Sequence, residues 1–463
     1  MKQLRWLVVP VCLAMLAGAC SRSGNQAISQ TATTAAPAAT STTAAGPGPG
    51  DFGTLKAVCG PGNATGATDQ GVTNTQIDVG TMADPGNQIQ PGLDQELFDA
   101  ATAFTRWCNA AGGILGRKLT LHLHNSAILN VPAQMIVACS QDFALVGNGE
   151  AFDDAGVAKR VACKLPEIPA YDNSPLAAEA PLSVHAAPMP INQEVAAGLN
   201  AMKKLIPGVS KIGFITGNLA GVVVTKDRDK EAAQLLGFSS VYDQTYPITG
   251  PANWTPYVQA MQHAGVQLLE LTGSPQDIIG MEKAMSATGW YPQGILEQAN
   301  QYDQRLISEA GSALKNTYVT TGFVPFEDAS MYPAMKQLLD ISKTFNPSGK
   351  IAALSANAWT AWLLFAESAK ACGSNLTRTC LLQQAGSQTA WTGGGIQGPA
   401  NTNPSSPQSA TCLALLQATP SGFVSAANLL PPTPGKEPFN CDPSNVIDLK
   451  HNYIPPNEPT VPS

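Results

Sequence analysis

From residue 71 onward, short apolar runs alternate with stretches whose apolar residues recur at helical spacing. Ile77–Val79 predicts a strand. Leu97, Ala101, Phe104 and Cys108 then fall on one helical face, and Gly112-Gly113 stops that helix. The alternation continues with a strand at 119–123, a helix at 131–139, a strand at 143–146, a helix at 153–163 and a strand beginning at Ile168. After a proline-rich stretch from Pro181 to Pro190 the rhythm restarts. Strands are expected at 211–216, 240–242, 266–271, 295–296 and 318–320, with helices at 225–236, 255–264 and 276–288 between them. Two long helical patterns follow, at 332–345 and 357–372. A Gly/Pro/Ser/Asn loop over 393–408, a hairpin at 412–417 and 422–425, and a proline-rich extended tail from Leu430 complete the chain. Strand–helix repetition of this kind predicts two α/β lobes, each a parallel sheet with helices on both faces.

The first 57 residues break the pattern. Lys2 and Arg5 precede an apolar run from Trp6 to Leu16, which is shorter than the roughly 20 residues a bilayer span needs. Ala17-Gly18-Ala19-Cys20 follows and resembles a bacterial lipobox, with Ala17 where Leu is commoner. Residues 1–19 are thus expected to be an export signal and Cys20 a lipidated anchor. Residues 20–57 are mostly Ser, Thr, Ala, Gly and Pro, and predict a disordered spacer with a reach of roughly 35 Å. The location implied is the extracytoplasmic face of the cell membrane.

Composition narrows the rest. Hydrophobic residues make up 44% and charged residues 13%, as in a globular protein. The net charge of −7 and the lack of Lys/Arg runs argue against a nucleic-acid partner. Ala358–Ala371 is the most apolar later stretch, but it is too short to span a membrane and carries Glu367 and Lys370. Setting aside Cys12 and Cys20, the even set Cys59, Cys108, Cys139, Cys163, Cys372, Cys380, Cys412 and Cys441 argues for disulfides in an exported chain. Count alone leaves their pairing open.

Three stretches carry a family resemblance: Gly71-Val-Thr-Asn-Thr-Gln-Ile-Asp-Val-Gly80, Pro91-Gly-Leu-Asp-Gln-Glu96 and Asn109-Ala-Ala-Gly-Gly-Ile-Leu-Gly-Arg-Lys118. With these the chain resembles the leucine/isoleucine/valine-type periplasmic binding proteins, the solute receptors of ABC importers, over roughly residues 71–425. The resemblance implies two doubly wound Rossmann-like lobes joined by three crossovers and closing on a ligand. First-lobe segments would cover 58–188 and 319–392, second-lobe segments 189–318 and 393–429, and the tail 430–463. Crossings would fall near Pro188, near Tyr318–Phe323 and in the 393–408 loop. The same layout implies the disulfides Cys59–Cys108, Cys139–Cys163, Cys372–Cys380 and Cys412–Cys441.

Ligands of open α/β sheets bind beyond the carboxyl ends of the strands. In the first lobe this singles out Gln90, Asn148, Gly149, Glu150, Tyr171 and Asp172. In the second it singles out Asn218, Ser274, Glu297 and Gln298. The turn from Gly147 into a helix near Asp153 offers N–H groups suited to an anion. It half-matches a dinucleotide glycine motif, but Phe152 replaces the third glycine. The resemblance gives Glu297 the role of the family's ammonium-binding acid. Gly149-Glu150 replaces its serine-rich turn, and Ala220-Gly221 and Ser274 stand where aromatics are common. The hydroxyl-rich carboxylate clamp is not preserved, so an amine, amide or polyol fits as well as an amino acid. Trp254, Trp290 and Tyr291 read as packing residues.

Catalytic signals are weak. No Gly-x-Ser-x-Gly, His-Glu-x-x-His or Gly-Lys-Ser/Thr motif occurs. His122 and His124 share a strand face, but no Cys, Asp or Glu completes a known metal spacing around them. The expectation is a monomeric receptor without cofactor or metal, whose partners are a small polar ligand, an importer permease and, through the anchor, the membrane. A ligand sensor or adhesion-type lipoprotein of the same fold is the alternative, and an enzyme ranks third.

Overall fold

The computed structural model describes residues 48–454 together with 459, 461 and 462. The expected signal, Cys20 and most of the spacer lie outside the described residues.

Elements follow the hydrophobic rhythm. The first block comprises β1 (Gln76–Ala83), α1 (Gln95–Ala111), β2 (Lys118–Asn125), α2 (Val131–Gln141), β3 (Ala144–Val146), α3 (Asp154–Ala162), β4 (Glu167–Ile168) and the short α4 (Pro175–Ala178). The second comprises β5 (Gln193–Val195), α5 (Ala197–Leu205), β6 (Lys211–Gly217), α6 (Ala220–Leu235), β7 (Ser239–Tyr246), α7 (Thr255–Ala264), β8 (Leu268–Thr272), α8 (Pro275–Thr288), β9 (Gly294–Glu297), α9 (Gln304–Ala310) and β10 (Thr317–Thr321). Then come α10 (Pro333–Phe345), α11 (Ala353–Cys372), α12 (Arg378–Ala385), β11 (Cys412–Thr419), β12 (Gly422–Ser425), β13 (Asn440–Cys441) and β14 (Val446–Asp448).

The first lobe is a four-stranded parallel sheet in the order β2-β1-β3-β4. Helices α1 and α11 pack on it together with α10 and α12, while α2 and α3 pack together beside β1 and β2. Leu97, Ala101, Phe104 and Cys108 are all fully buried, and Gly112 at φ 125° ends α1 where an L side chain would be strained. Helix α11 is apolar almost all round because it is enclosed, with Trp359, Trp362 and Phe365 fully buried. Phe104 stacks on Trp362 with ring centroids 5.4 Å apart.

The second lobe is an eight-stranded sheet built on β12-β11-β10-β9-β8-β6-β7, with β13 paired to β11. Strands β6 to β10 are parallel, and β11 and β12 are antiparallel. Its side chains divide with the two-residue period of a strand. Phe214, Leu268, Leu296 and Tyr318 join one cluster with α5, and Ile215, Leu269, Ile295 and Val319 join the core on the other face.

Three crossings join the lobes and lie side by side. Phe323 pairs with Gln397 across two of them, and the Gln397 side-chain amide donates to the carbonyl of Ala186 on the third at 2.9 Å. Both lobes belong to one compact unit, Pro47–Ser463.

Four disulfides form: Cys59–Cys108, Cys139–Cys163, Cys372–Cys380 and Cys412–Cys441, the pairing the family layout implies. Each contributes about 2–4 kcal/mol of stability.

Some expectations need correction. Residues 48–57 read as spacer, yet Phe52 is fully buried 5.8 Å from Trp359, because one aromatic can anchor a segment whose composition is otherwise polar and small. The tail is extended but also hydrogen-bonded, since β14 pairs antiparallel with β5. Helix α6 starts at Ala220, five residues earlier than its charged pattern suggested. The histidine pair does have an acid: both imidazoles meet Asp142, at 2.6 Å each, a residue remote from them in sequence. A Cβ on Gly80 of the neighbouring strand would strike that carboxylate. Among the described residues no group of His, Cys, Asp and Glu is arranged to hold a metal, and no helix is long and apolar enough to cross a membrane.

Candidate functional site

The carboxyl ends of both sheets face one another. A Cβ on Gly221, at the start of α6, would sit 3.1 Å from the carbonyl of Asn173 in the opposite lobe. The Ala353 N–H at the head of α11 donates to Tyr302 across the same divide at 3.0 Å. Lys350 binds Glu96 of the first lobe at 2.9 Å and Asp303 of the second at 2.8 Å. Burial alone would lower its pKa, but these two carboxylates hold it above the ordinary lysine value. Between the lobes lies a cavity of about 80 Å³, walled by Gln90, Asp94 and Glu96 on one side and by Ser274, Asn300 and Asp303 on the other.

The predicted first-lobe residues cluster at the ends of β3 and β4. Asn148 is buried, and its amide N–H donates to Glu167 at 3.4 Å. Gly149 admits the Tyr171 ring, which a Cβ would strike. The Tyr171 hydroxyl then donates to Asp94 at 2.9 Å, and Asp94 lines the cavity. Asp172 is paired with His185; burial would lower that imidazole's pKa, but the carboxylate lifts it above the ordinary histidine value. Glu150 is 3% exposed, and its Oε1 has no hydrogen-bond partner among the described residues. Burial, reinforced by Asp153, Asp84, Glu167 and Asp172, pushes its carboxyl well above the usual range.

Two N–H groups of the 147–153 turn, which the sequence suggests for an anion, are spent within the first lobe. The Gly149 N–H donates to Met82 at 3.1 Å, and the Ala151 N–H donates to Asp84 at 2.8 Å. One of these donors is spent on a backbone carbonyl and the other on a buried carboxylate.

In the second lobe the residues separate. Asn218 is exposed, and its carbonyl oxygen accepts from the Ile248 N–H at 2.8 Å, bracing the rim. Ser274 lines the cavity, but its hydroxyl caps α8 in a reciprocal box with Asp277. Gln298 donates to Asp229 at 3.4 Å. Glu297, at the end of β9, is 2% exposed, and neither carboxylate oxygen has a partner among the described residues. Burial, with Glu282 and Glu270 nearby, holds its pKa well above the ordinary value.

Sequence reasoning missed Asp94, Glu96, Asp303 and Lys350. Asp94 and Glu96 lie inside the Pro91–Glu96 stretch that carried the resemblance, and Asp94 holds φ 56°, unusual for a non-glycine residue. Lys350 returns from a segment more than fifty residues beyond the second-lobe loops, and no local signal marks it.

The family model for periplasmic binding proteins matches residues 92–423. Among curated proteins, none matches the sequence. A fatty acid ABC transporter substrate-binding protein from Thermomonospora curvata has a similar structure, with a TM-score of 0.66 at 19% identity over 78% of this chain and 95% of that one. A leucine-binding protein from Thermotoga maritima gives a TM-score of 0.62 at 15% identity, covering 76% and 97%. The branched-chain amino acid transporter substrate-binding protein from Streptococcus pneumoniae, solved with isoleucine, gives 0.61 at 13% identity, covering 76% and 100%.

Proposed function

Since the chain belongs to the periplasmic binding protein family, we propose that it is an extracytoplasmic solute-binding lipoprotein that delivers a small polar ligand to an ABC importer. The ligand is of amino-acid, amide or amine type. The observation that carries this reading is the cavity walled from both lobes at the carboxyl ends of two parallel sheets, next to the Lys350 bridge. A ligand held by groups from both lobes stabilises the closed arrangement over the open one by its differential contacts, and closure presents a permease with a distinct surface. Relatives of similar fold are described as binding fatty acid or solved with isoleucine, so the ligand class rests on this chain's own polar walls. Cys20 holds the monomeric receptor at the membrane, and the spacer gives it reach to the permease.

The test pairs binding with uptake. Thermal-shift titration of the purified protein against amino acids, amides, amines, sugars and fatty acids should show saturable stabilisation by one polar class. Deleting the gene should abolish uptake of that solute. Stabilisation by none of these classes, or turnover of a bound solute, would sink the reading.

A further inference from the structure

Buried polar atoms without hydrogen-bond partners among the described residues include donors of Arg160 and Arg228, but those on the strand ends and loops at the cleft share one chemistry. At the first-lobe side of the cleft they are Asn148 Oδ1, Glu150 Oε1 and Asp153 Oδ1. At the second-lobe side they are both oxygens of Glu297, Asn300 Oδ1 and Gln301 Oε1. All are acceptors. The amide N–H groups of Asn300 and Gln301 are already spent on the Gly273 carbonyl, at 3.0 and 2.6 Å, which fixes their oxygens as the free ends. The unpartnered indole N–H of Trp359 lies in the aromatic layer with Phe104, while that of Trp362 lies beside Gly147, where a Cβ would sit 2.9 Å from it, and adds a donor at the first-lobe side.

The cations in the cavity wall are used up. Arg305 is held by Glu309 at 2.6 Å and by Gln276, and Lys350 by Glu96 and Asp303. Asp94, also in the wall, takes only the Tyr171 hydroxyl, and burial with Glu96 and Asp84 pushes its carboxyl well up. Native proteins seldom leave buried acceptors unpaired, and each costs free energy unless a donor arrives. Here they stand at the carboxyl ends of strands in both lobes. A carboxylate ligand would bring more acceptors to a place where free acceptors outnumber free donors.

We propose that the ligand of this cleft is an organic cation with N–H donors at both ends, a diamine or polyamine, one end taken by acceptors of the first lobe and the other by Glu297, Asn300 and Gln301 of the second. The assignment rests on the receptor reading above. Ammonium groups supply the missing donors and neutralise the acids, and charge-assisted bonds of this kind are about twice as strong as neutral ones.

Binding is coupled to protons. Glu150 faces Asp153, Asp84, Glu167, Asp172 and the Tyr171 ring, and Glu297 faces Glu282, Glu270 and Tyr246. Both carboxyls hold their protons above the usual carboxylate range, so an incoming cation must displace them. Diamine affinity therefore rises with pH, up to the point where the amines themselves lose charge.

Calorimetric titration of the full protein with 1,4-diaminobutane, 1,5-diaminopentane and spermidine, beside leucine, glutamate and acetamide, tests this. One amine should bind 1:1, release protons (seen as a buffer-dependent heat) and bind more tightly at pH 8 than at pH 6. Glu297→Gln and Glu150→Gln should each weaken it at least tenfold, with the unfolding midpoint of each variant showing that it still folds. Leucine, glutamate or acetamide binding with the amines inert overturns the inference and leaves the receptor reading intact. Silence from every class of solute removes both.

Discussion

Two buried acids at the carboxyl ends of strands, Asp84 of the first lobe and Glu297 of the second, are held in opposite ways. In the first lobe most buried acids, Glu150 apart, are structural. Asp84 accepts the N–H groups of Ile128 and Ala151 at 2.5 and 2.8 Å and the Ser126 hydroxyl. Asp153 takes those of Asn173 and Ser174, at 2.6 and 3.1 Å, and Glu167 pairs with Arg160 at 2.7 Å. These acids tie the cleft loops together from beneath. In the second lobe Asp277 and Glu282 also accept hydroxyl donors, but Glu297, buried just as deeply, accepts nothing among the described residues. Burial is therefore no guide to role. What separates a brace from a binding group is whether protein donors already satisfy it.

This contrast predicts that removing the two kinds of acid has opposite consequences. Asp84→Ala orphans two backbone donors and should cost about 3 kcal/mol in urea unfolding. Glu297→Gln loses no hydrogen bond and relieves a buried acid, so stability should hold or rise by about 1 kcal/mol while ligand binding falls. Equal losses from the two would erase the distinction between a bracing acid and a binding one.

A smaller effect is expected where the lobes meet. Lys350→Met leaves Glu96 and Asp303 buried without their shared cation. Because the lysine is 30% exposed, the cost should be about 2 kcal/mol, below that of a fully buried pair. The loss falls on the closed arrangement, so the radius of gyration in solution scattering should increase. An unchanged radius would mean that the three crossings hold the lobes together without the bridge.

Much of the fold was legible because its signals are local. Gly112-Gly113 marks the end of α1, the period-two division of Phe214 and Ile215 marks a sheet covered on both faces, and the exported context with an even cysteine set marks a disulfide framework. Elements with short or charged patterns escaped: α9, α12 and the β5–β14 pair give little periodicity to read, whereas α5 carries a buried face of Leu199 and Met202. The site was legible by position more than by role. Gln90 and Ser274 do line the inter-lobe cavity, and Glu150 and Glu297 are buried at strand ends. Ser274-Pro-Gln-Asp277 spells a capping box in the sequence itself, yet sequence could not show that Asp172 is spent on His185 or that Asp142 closes the histidine pair. Those facts depend on contacts between residues far apart in the chain or on hydrogen bonds a one-dimensional pattern does not specify.

The central claim is that acceptors from both lobes wait for a cation. A crystal structure grown with the amine that binds best tests it most directly. It should place one ammonium group within hydrogen-bonding distance of Glu297 and another beside Glu150, with the lobes closed over both. A ligand whose carboxylate occupies that cleft, or an amine bound outside it, would contradict the account.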